Sequence, residues 1–253
     1  MMAAPSRRFP GSEIMLTNGW VKVQFDGHIW EELATFVDDW VASESVRRYI
    51  QDYSENPPDK ATDDLQQRFI ARLLPHDREI VTLKADDKFL AFATQPDLVS
   101  FISTCMGGHQ PTLQYYDLWH TWPLADGRER RGSQEWHKDA EAFDKPGRVV
   151  KVFLYFSDCL TDGAGPFEMM TPEGRVTFLM KRGDGMIADT GFYSHRGGYS
   201  TTDPRTYAVW VFNDSERILA KPRYNLTDEA RESFASPVLF EYRDWEAKRK
   251  AMV

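Results

Sequence analysis

The first part of the chain is dominated by apolar residues that recur at intervals of three and four, the spacing that puts them on one face of a helix. A short stretch, 19–25, instead alternates apolar and polar residues as a strand does. Residues 1–13 are expected to be a loose tail, and 14–110 a helix-rich segment. The predicted helices cover residues 29–53, 63–74, 86–94 and 96–106.

The pattern changes at Pro111, where short β-rich runs separated by Gly, Pro and Asp turns replace the helical spacing. The predicted strands cover residues 112–119, 134–139, 148–156, 175–180, 185–189 and 205–212. The remainder, 214–253, is a polar C-terminal extension with one helix-like segment at 228–234. Helices followed by a run of strands predict a single domain over 1–253 with its core at 111–213. Its class is α+β, or a mainly-β barrel or sandwich with helices packed outside.

Composition narrows the functional classes. The chain has 253 residues, of which 42% are hydrophobic, so it can bury a sizeable core. Its net charge of -8 and the lack of a dense Lys/Arg stripe argue against a nucleic-acid partner. No stretch approaches the roughly 18–20 apolar residues that span a membrane. Cys105 and Cys159 are expected to be buried free thiols, which fits a cytoplasmic protein, whereas the oligomeric state cannot be derived.

The stretch S-Q-E-W-H-K-D-A, 133–140, carries the first candidate chemistry. On a strand, His137 and Asp139 would project to the same side, because residues two apart share a face. An imidazole and a carboxylate offered together form a two-point clamp for a divalent metal, and a facial triad needs one further histidine. The one histidine downstream of His137 is His195. Taken singly, each of these residues is more often an ordinary strand or loop residue.

Arg205 follows His195 by ten residues and opens the apolar strand R-T-Y-A-V-W-V-F. A guanidinium at the mouth of such a strand suits a carboxylate ligand, which it binds through two parallel hydrogen bonds. Lys151 is a second unusual cation, since it lies within the apolar strand V-V-K-V-F-L-Y-F. It either lines the barrel near the site or extends to solvent at an edge.

The order His-x-Asp, His, then Arg ten residues on resembles the iron(II)/2-oxoglutarate dioxygenases. The flanking segments resemble the phytanoyl-CoA dioxygenase-like family within that group, and the likeness covers roughly 111–213. Those segments are W-H-K-D, K-V-F-L-Y-F-S-D, G-A-G-P-F, G-D-G-M-I-A-D-T and H-R-G-G-Y.

This resemblance implies a mainly-β fold with flanking helices, a double-stranded β-helix or cupin-like jelly-roll barrel. It implies that His137, Asp139 and His195 bind Fe(II), and that Arg205 pairs with the distal carboxylate of the cosubstrate 2-oxoglutarate. Gln114 matches a position that contacts the cosubstrate in relatives. With O2, such an enzyme oxidises, in most cases by hydroxylation, an unactivated C–H bond of a small organic molecule and releases succinate and CO2.

Two departures from the family pattern stand out. Gly197 occupies the position two after His195 where many relatives have a hydroxyl residue, and G-P-F-E-M-M-T-P-E-G-R replaces a common turn. Asp139 favours oxidation over halogenation, because related halogenases carry a small residue there. Two alternatives stay open: a cupin-type metalloenzyme that does not use 2-oxoglutarate, and a non-catalytic binding barrel.

Overall fold

The computed structural model describes residues 15, 17–25, 28–55, 70–72, 80–123, 132–139, 148–214 and 221–251. Within these residues the chain is mainly β with flanking helices, as predicted. The strands are β1 (Trp20–Gln24), β2 (Ile70–Arg72), β3 (Val81–Leu83), β4 (Pro111–Thr121), β5 (Val149–Tyr155), β6 (Phe167–Thr171), β7 (Gly174–Phe178), β8 (Asp184–Asp189), β9 (His195–Gly197), β10 (Arg205–Asp214) and β11 (Tyr224–Leu226). The helices are His28–Val41, Glu44–Glu55, Lys88–Ala93, Pro96–Cys105, Asp228–Ser233 and Tyr242–Ala251.

The strands form one large and two small sheets. The large sheet has the order β1-β8-β5-β10-β4-β2, and every neighbouring pair in it is antiparallel. The first small sheet has the order β7-β6-β9 and is also antiparallel. The second pairs β11 with β3 in parallel.

The two faces of the large sheet enter separate hydrophobic clusters, because successive side chains on a strand point to opposite faces. On β10, Ala208, Trp210 and Phe212 belong to the cluster that includes the helices, and we call this side the outer face. The intervening Tyr207 and Val209 belong to the cluster shared with β6 and β7, on the inner face. The inner face is therefore the side on which a site between two sheets can form.

Specific hydrogen bonds cap the helix Lys88–Ala93 and hold it against the outer face. Asp87 caps the helix Lys88–Ala93 by accepting a hydrogen bond of 2.8 Å from the backbone N–H of Leu90. The indole of Trp210 donates a 2.8 Å hydrogen bond to the Phe89 carbonyl, which ties this helix to β10. No helix among the described residues combines the length and apolar character needed to cross a membrane.

Two of the predicted helices are corrected, and the structure adds one helix that the sequence pattern does not predict. The helix predicted over 29–53 is two helices, His28–Val41 and Glu44–Glu55. The helix predicted over 63–74 is wrong at 70–72, where pairing with β4 prevails over local helical spacing, and its remaining residues, 63–69 and 73–74, lie outside the described residues. The C-terminal extension also contains an unpredicted helix, Tyr242–Ala251.

The strand predicted over 134–139 is replaced by a short 3-10 turn, Gly132–Gln134, followed by isolated backbone contacts. The backbone groups of His137 exchange hydrogen bonds of 3.1 and 2.9 Å with His195 on β9, in the small sheet. The Asp139 N–H donates instead to the carbonyl of Thr190, directly after β8 of the large sheet. This segment crosses from one sheet to the other, so neither ladder can continue through it.

Candidate metal centre

The crossing segment brings His137 and Asp139 against His195, and these three form the described cluster of metal-ligand side chains. One ligand atom from each lies within 4.8 Å of the others. The Asp139 Oδ1 atom is 3.9 Å from His137 Nε2, and its Oδ2 atom is 3.5 Å from His195 Nε2. Lys138 is exposed, which agrees with the predicted alternation of facing. Two imidazoles and one carboxylate are the ligand set of a facial triad for a divalent metal.

Each imidazole is oriented by a backbone carbonyl. His137 Nδ1 lies 2.8 Å from the Glu135 carbonyl oxygen, and His195 Nδ1 lies 3.2 Å from that of Tyr193. A carbonyl only accepts, so Nδ1 carries the proton in both rings and the Nε2 lone pair is left for a metal. His195 is buried, and its Nε2 has no hydrogen-bond partner in the described part of the chain. An unsatisfied buried acceptor facing a carboxylate fits a metal ion.

The electrostatics of the cluster keep its groups in metal-binding forms. Burial raises the pKa of Asp139, but the Lys151 ammonium and His195 outweigh it, so this pKa lies below its usual range. Burial, and then the nearby Lys151 charge, lowers the pKa of His195 to about 3. At neutral pH the centre therefore offers an ionised carboxylate and a neutral imidazole.

The sequence leaves open whether Lys151 lines the barrel near the site or extends to solvent. The structure places it beside the triad. Its Nζ atom is 2.8 Å from Asp139 Oδ2, and 14% of its side chain is exposed. Burial lowers the pKa of Lys151, but the Asp139 carboxylate raises it further, so the lysine stays charged. An ammonium group against a triad carboxylate was not foreseen; its one sequence signal was the position of a lysine in an apolar strand.

The triad opens into a cavity of about 210 Å³ between the inner face of the large sheet and the β7-β6-β9 sheet. Its wall mixes aromatic and charged side chains. Besides the triad and Lys151, the lining includes Tyr115, Asp117, Phe153, Phe167, Tyr207 and Arg223. The Arg223 guanidinium lies 3.9 Å from the centroid of the Tyr115 ring. Concave sites of this mixed kind are typical of small-molecule binding.

Arg205 is buried at the start of β10, with 4% of its surface exposed. Its guanidinium carbon lies 5.0 Å from the centroid of the cavity-lining Tyr207 ring, and its Nε has no hydrogen-bond partner among the described residues. A Cβ atom on Gly197 would lie 3.6 Å from Arg205 Nη2. Gly197 is therefore adjacent to Arg205.

Gln114, like Arg205, is not among the residues that line the cavity. Its side-chain nitrogen donates a 3.2 Å hydrogen bond to Thr112, and its backbone carbonyl accepts one from Arg223. A direct contact between its side chain and a cosubstrate stays a prediction, while its backbone helps fix a residue of the cavity wall.

Two other histidines, His120 and His109, lie apart from the triad. His120 is buried on β4, with Nδ1 2.9 Å from the Thr206 hydroxyl, and burial lowers its pKa. His109 lies 3.8 Å from Asp214. Cys105 and Cys159 are buried free thiols, as predicted. The charged segment 126–131, just before the triad segment in sequence, lies outside the described residues.

No protein-family model matches the chain, and no curated protein does. Among solved structures, EctD from S. alaskensis with bound Fe matches with a TM-score of 0.56 and 15% identity, over 88% of this chain and 83% of that one. The epimerase SnoN in complex with Fe3+, alpha ketoglutarate and nogalamycin RO matches with a TM-score of 0.51 and 15% identity, over 81% of this chain and 82% of that one. AviO1 from Streptomyces viridochromogenes Tue57 matches with a TM-score of 0.53 and 15% identity, over 87% of this chain and 100% of that one.

These likenesses establish the fold. The chain has the jelly-roll architecture of non-haem iron, 2-oxoglutarate-dependent enzymes, as the sequence resemblance implied. At 15% identity the phytanoyl-CoA dioxygenase-like family itself stays a prediction. The described His–Asp–His cluster opens into the cavity, and the matched EctD structure contains bound Fe.

Proposed function

We propose that the chain is an Fe(II)- and 2-oxoglutarate-dependent oxygenase that oxidises an unactivated C–H bond of a small organic molecule. The observation that carries this proposal is the placement of two carbonyl-oriented imidazoles and one carboxylate around a common point at the cavity wall. Hydroxylation is the outcome we favour, with succinate and CO2 as the other products. Asp139 supports oxidation over halogenation because it completes the triad.

His137, Asp139 and His195 would hold the iron, which when bound supplies the activation of O2 that protein side chains cannot provide. The chain's own contribution is orientation. The Glu135 and Tyr193 carbonyls fix the two imidazoles, and Lys151 fixes the carboxylate. Phe153 and Phe167, in contact at 4.9 Å between ring centroids, give the cavity an apolar wall that restricts water near the centre.

Arg205 would bind the distal carboxylate of 2-oxoglutarate. It is a buried cation beside the cavity-lining Gly197, two residues from the His195 ligand, so a dicarboxylate held at the metal would extend past Gly197 to reach the guanidinium. The aromatic rings of Tyr207 and Tyr155 stack at 5.7 Å near this guanidinium and shield it from water. Gln114 would affect cosubstrate binding indirectly, because its backbone carbonyl holds Arg223, which lines the cavity.

The proposed cosubstrate separates this function from its two alternatives. A cupin-type metalloenzyme would need the triad but not a buried guanidinium at the start of β10. A binding barrel would need neither an intact metal site nor the cosubstrate. Two of the solved structures that share the fold contain alpha ketoglutarate or 2-oxoglutarate, which supports the proposed cosubstrate.

The test requires no substrate. Anaerobic protein is loaded with Fe(II) and titrated with 2-oxoglutarate, and the weak visible metal-to-ligand charge-transfer band of the chelate is recorded. We expect the band in the wild type. Arg205→Ala should raise the 2-oxoglutarate dissociation constant about ten- to a hundredfold, because a charge-assisted hydrogen bond is lost.

Arg48→Ala is the control, because Arg48 pairs with Glu44 on the surface of an exposed helix. It should leave the titration unchanged. Iron binding without the band would favour the cupin-type metalloenzyme, and no iron binding would favour the binding barrel. An unchanged titration in Arg205→Ala would place the cosubstrate anchor elsewhere.

A further inference from the structure

Lys151 occupies a position where a charge is costly. It is the third residue of β5, whose remaining residues are apolar or aromatic and buried. On the inner face its cross-strand neighbours are Val211 on β10 and Ala188 on β8, neither of which offers a polar side chain. A buried ammonium in such surroundings persists only with a close anionic partner. Asp139 Oδ2, at 2.8 Å, is that partner.

The same carboxylate faces the two histidines through both of its oxygens. Oδ2 is 3.5 Å from His195 Nε2, while Oδ1 is 3.9 Å from His137 Nε2. Lys151 forms its ion pair with Oδ2, the carboxylate oxygen that also faces His195. The ammonium thus restrains rotation of the carboxylate, and it also places a positive charge next to the site of a divalent cation.

These two effects act in opposite directions on metal affinity. Orientation of a ligand by a neighbouring hydrogen bond commonly strengthens metal binding. A cation next to the ligand weakens it, because two positive charges a few ångströms apart in a partly buried site repel each other strongly. Since Thr190 contacts Asp139 both at the backbone N–H and at the carboxylate, the orientation supplied by Lys151 is partly redundant. The charge has no such substitute, so repulsion should prevail.

We infer that Lys151 is a positioning residue that serves as the internal counter-ion of Asp139, stabilising the metal-free centre and lowering its affinity for the metal. The ammonium fulfils the electrostatic role of the metal when no metal is bound. A divalent ion, with its higher charge, can share the carboxylate with Lys151, while a monovalent ion competes poorly. The inference rests on the proposed function in one respect, that the triad binds a divalent metal.

The test measures the binding of Mn(II) to the metal-free full chain by calorimetry, without turnover. Lys151→Met keeps the length of the side chain and removes the charge, and we expect Mn(II) to bind at least about tenfold more tightly than to the wild type. The metal-free variant should melt at a lower temperature than the wild type, because Asp139 loses its partner. Added Mn(II) should therefore raise its melting temperature more than that of the wild type.

Two further variants keep the result interpretable. Lys151→Gln retains a hydrogen-bond donor without the charge, so it should also bind Mn(II) more tightly if Lys151→Met fails to fold. Val211→Ala removes methyl groups beside Lys151 and should leave the affinity unchanged. General damage to the site would weaken binding, so tighter binding in both Lys151 variants is the result that a merely structural lysine would not give.

Equal or weaker Mn(II) binding by the Lys151 variants, with a wild type that binds Mn(II), would overturn the counter-ion role and leave the proposed function intact. A wild type that binds no Mn(II) or Fe(II) would overturn the proposed function itself.

Discussion

The outer and inner faces of the large sheet differ in what they bury. On β5 the outer positions Val150, Val152 and Leu154 are all apolar and join the helices in one core. The alternate inner positions include Lys151, whose ammonium is paired with Asp139. On β4 the inner face likewise presents Asp117 and Tyr115 to the cavity. The same strands therefore build a stabilising core on one side and a charged site on the other.

This difference separates stability from function within single strands. The outer face gains free energy from apolar burial, which is non-directional and roughly proportional to the apolar area removed from water. Charges on the inner face cost free energy unless they are paired, so they remain where they perform a task. We therefore expect inner-face substitutions to change metal and cosubstrate binding, and outer-face substitutions to change stability.

The largest expected effect comes from the triad that faces the inner side. His137→Ala removes a metal ligand from a segment outside the regular sheets, and 30% of the His137 side chain is exposed, so little packing is lost. Fe(II) affinity should fall by more than the roughly hundredfold that loss of an outer-shell partner costs. The melting temperature of the metal-free protein should change little. Calorimetric Fe(II) titration under anaerobic conditions measures the first quantity, and affinity within tenfold of the wild type would remove His137 from the triad.

Leu154→Ala tests whether an outer-face substitution changes stability without changing metal binding. Leu154 is fully buried and lies opposite Ala208 on β10, one position from the inner-facing Phe153. The lost contacts and the resulting cavity should lower the free energy of unfolding by about 2–5 kcal/mol, as measured by urea denaturation. The Fe(II) dissociation constant of the folded fraction should stay unchanged. A large change in metal affinity with little loss of stability would contradict the division between the two faces.

The sequence predicted the site better than it predicted the elements that carry it. His137, Asp139 and His195 were identified by their order and by the resemblance of their flanks, and the structure brings them together. The strand expected over 134–139 was wrong, because its backbone bonds are divided between two sheets. Spacing alone cannot reveal such a crossing, since alternation of facing persists in an isolated extended segment.

The long apolar strands were the easiest to predict, and the three-residue strands were missed. The apolar runs that became β5 and β10 are long enough to be recognised from composition. β9 has three residues and two of them are His195 and Arg196, so nothing in its pattern indicates a strand. Its position depends on pairing with β6, and on Glu168 of β6, which is buried and bonded to Arg196. The role of Lys151 likewise required the fold, because its partner lies on a different segment.

The smallest expected effect concerns His120, a polar residue among the outer positions of β4. It is buried and bonded to Thr206, and burial lowers its pKa. The unfolded chain then binds a proton more readily than the folded chain, so His120 makes stability fall as the pH drops below the ordinary histidine pKa of about 6.5.

His120→Asn can keep a hydrogen bond to Thr206 but cannot titrate. The free energy of unfolding, measured by urea denaturation between pH 7 and pH 5, should therefore depend less steeply on pH in the variant, by at most about 1.4 kcal/mol per pH unit. The other titrating groups, His195 included, cancel in the difference between the two proteins. Equal slopes would mean that His120 keeps an ordinary pKa, and that the outer face tolerates a charge as the inner face does.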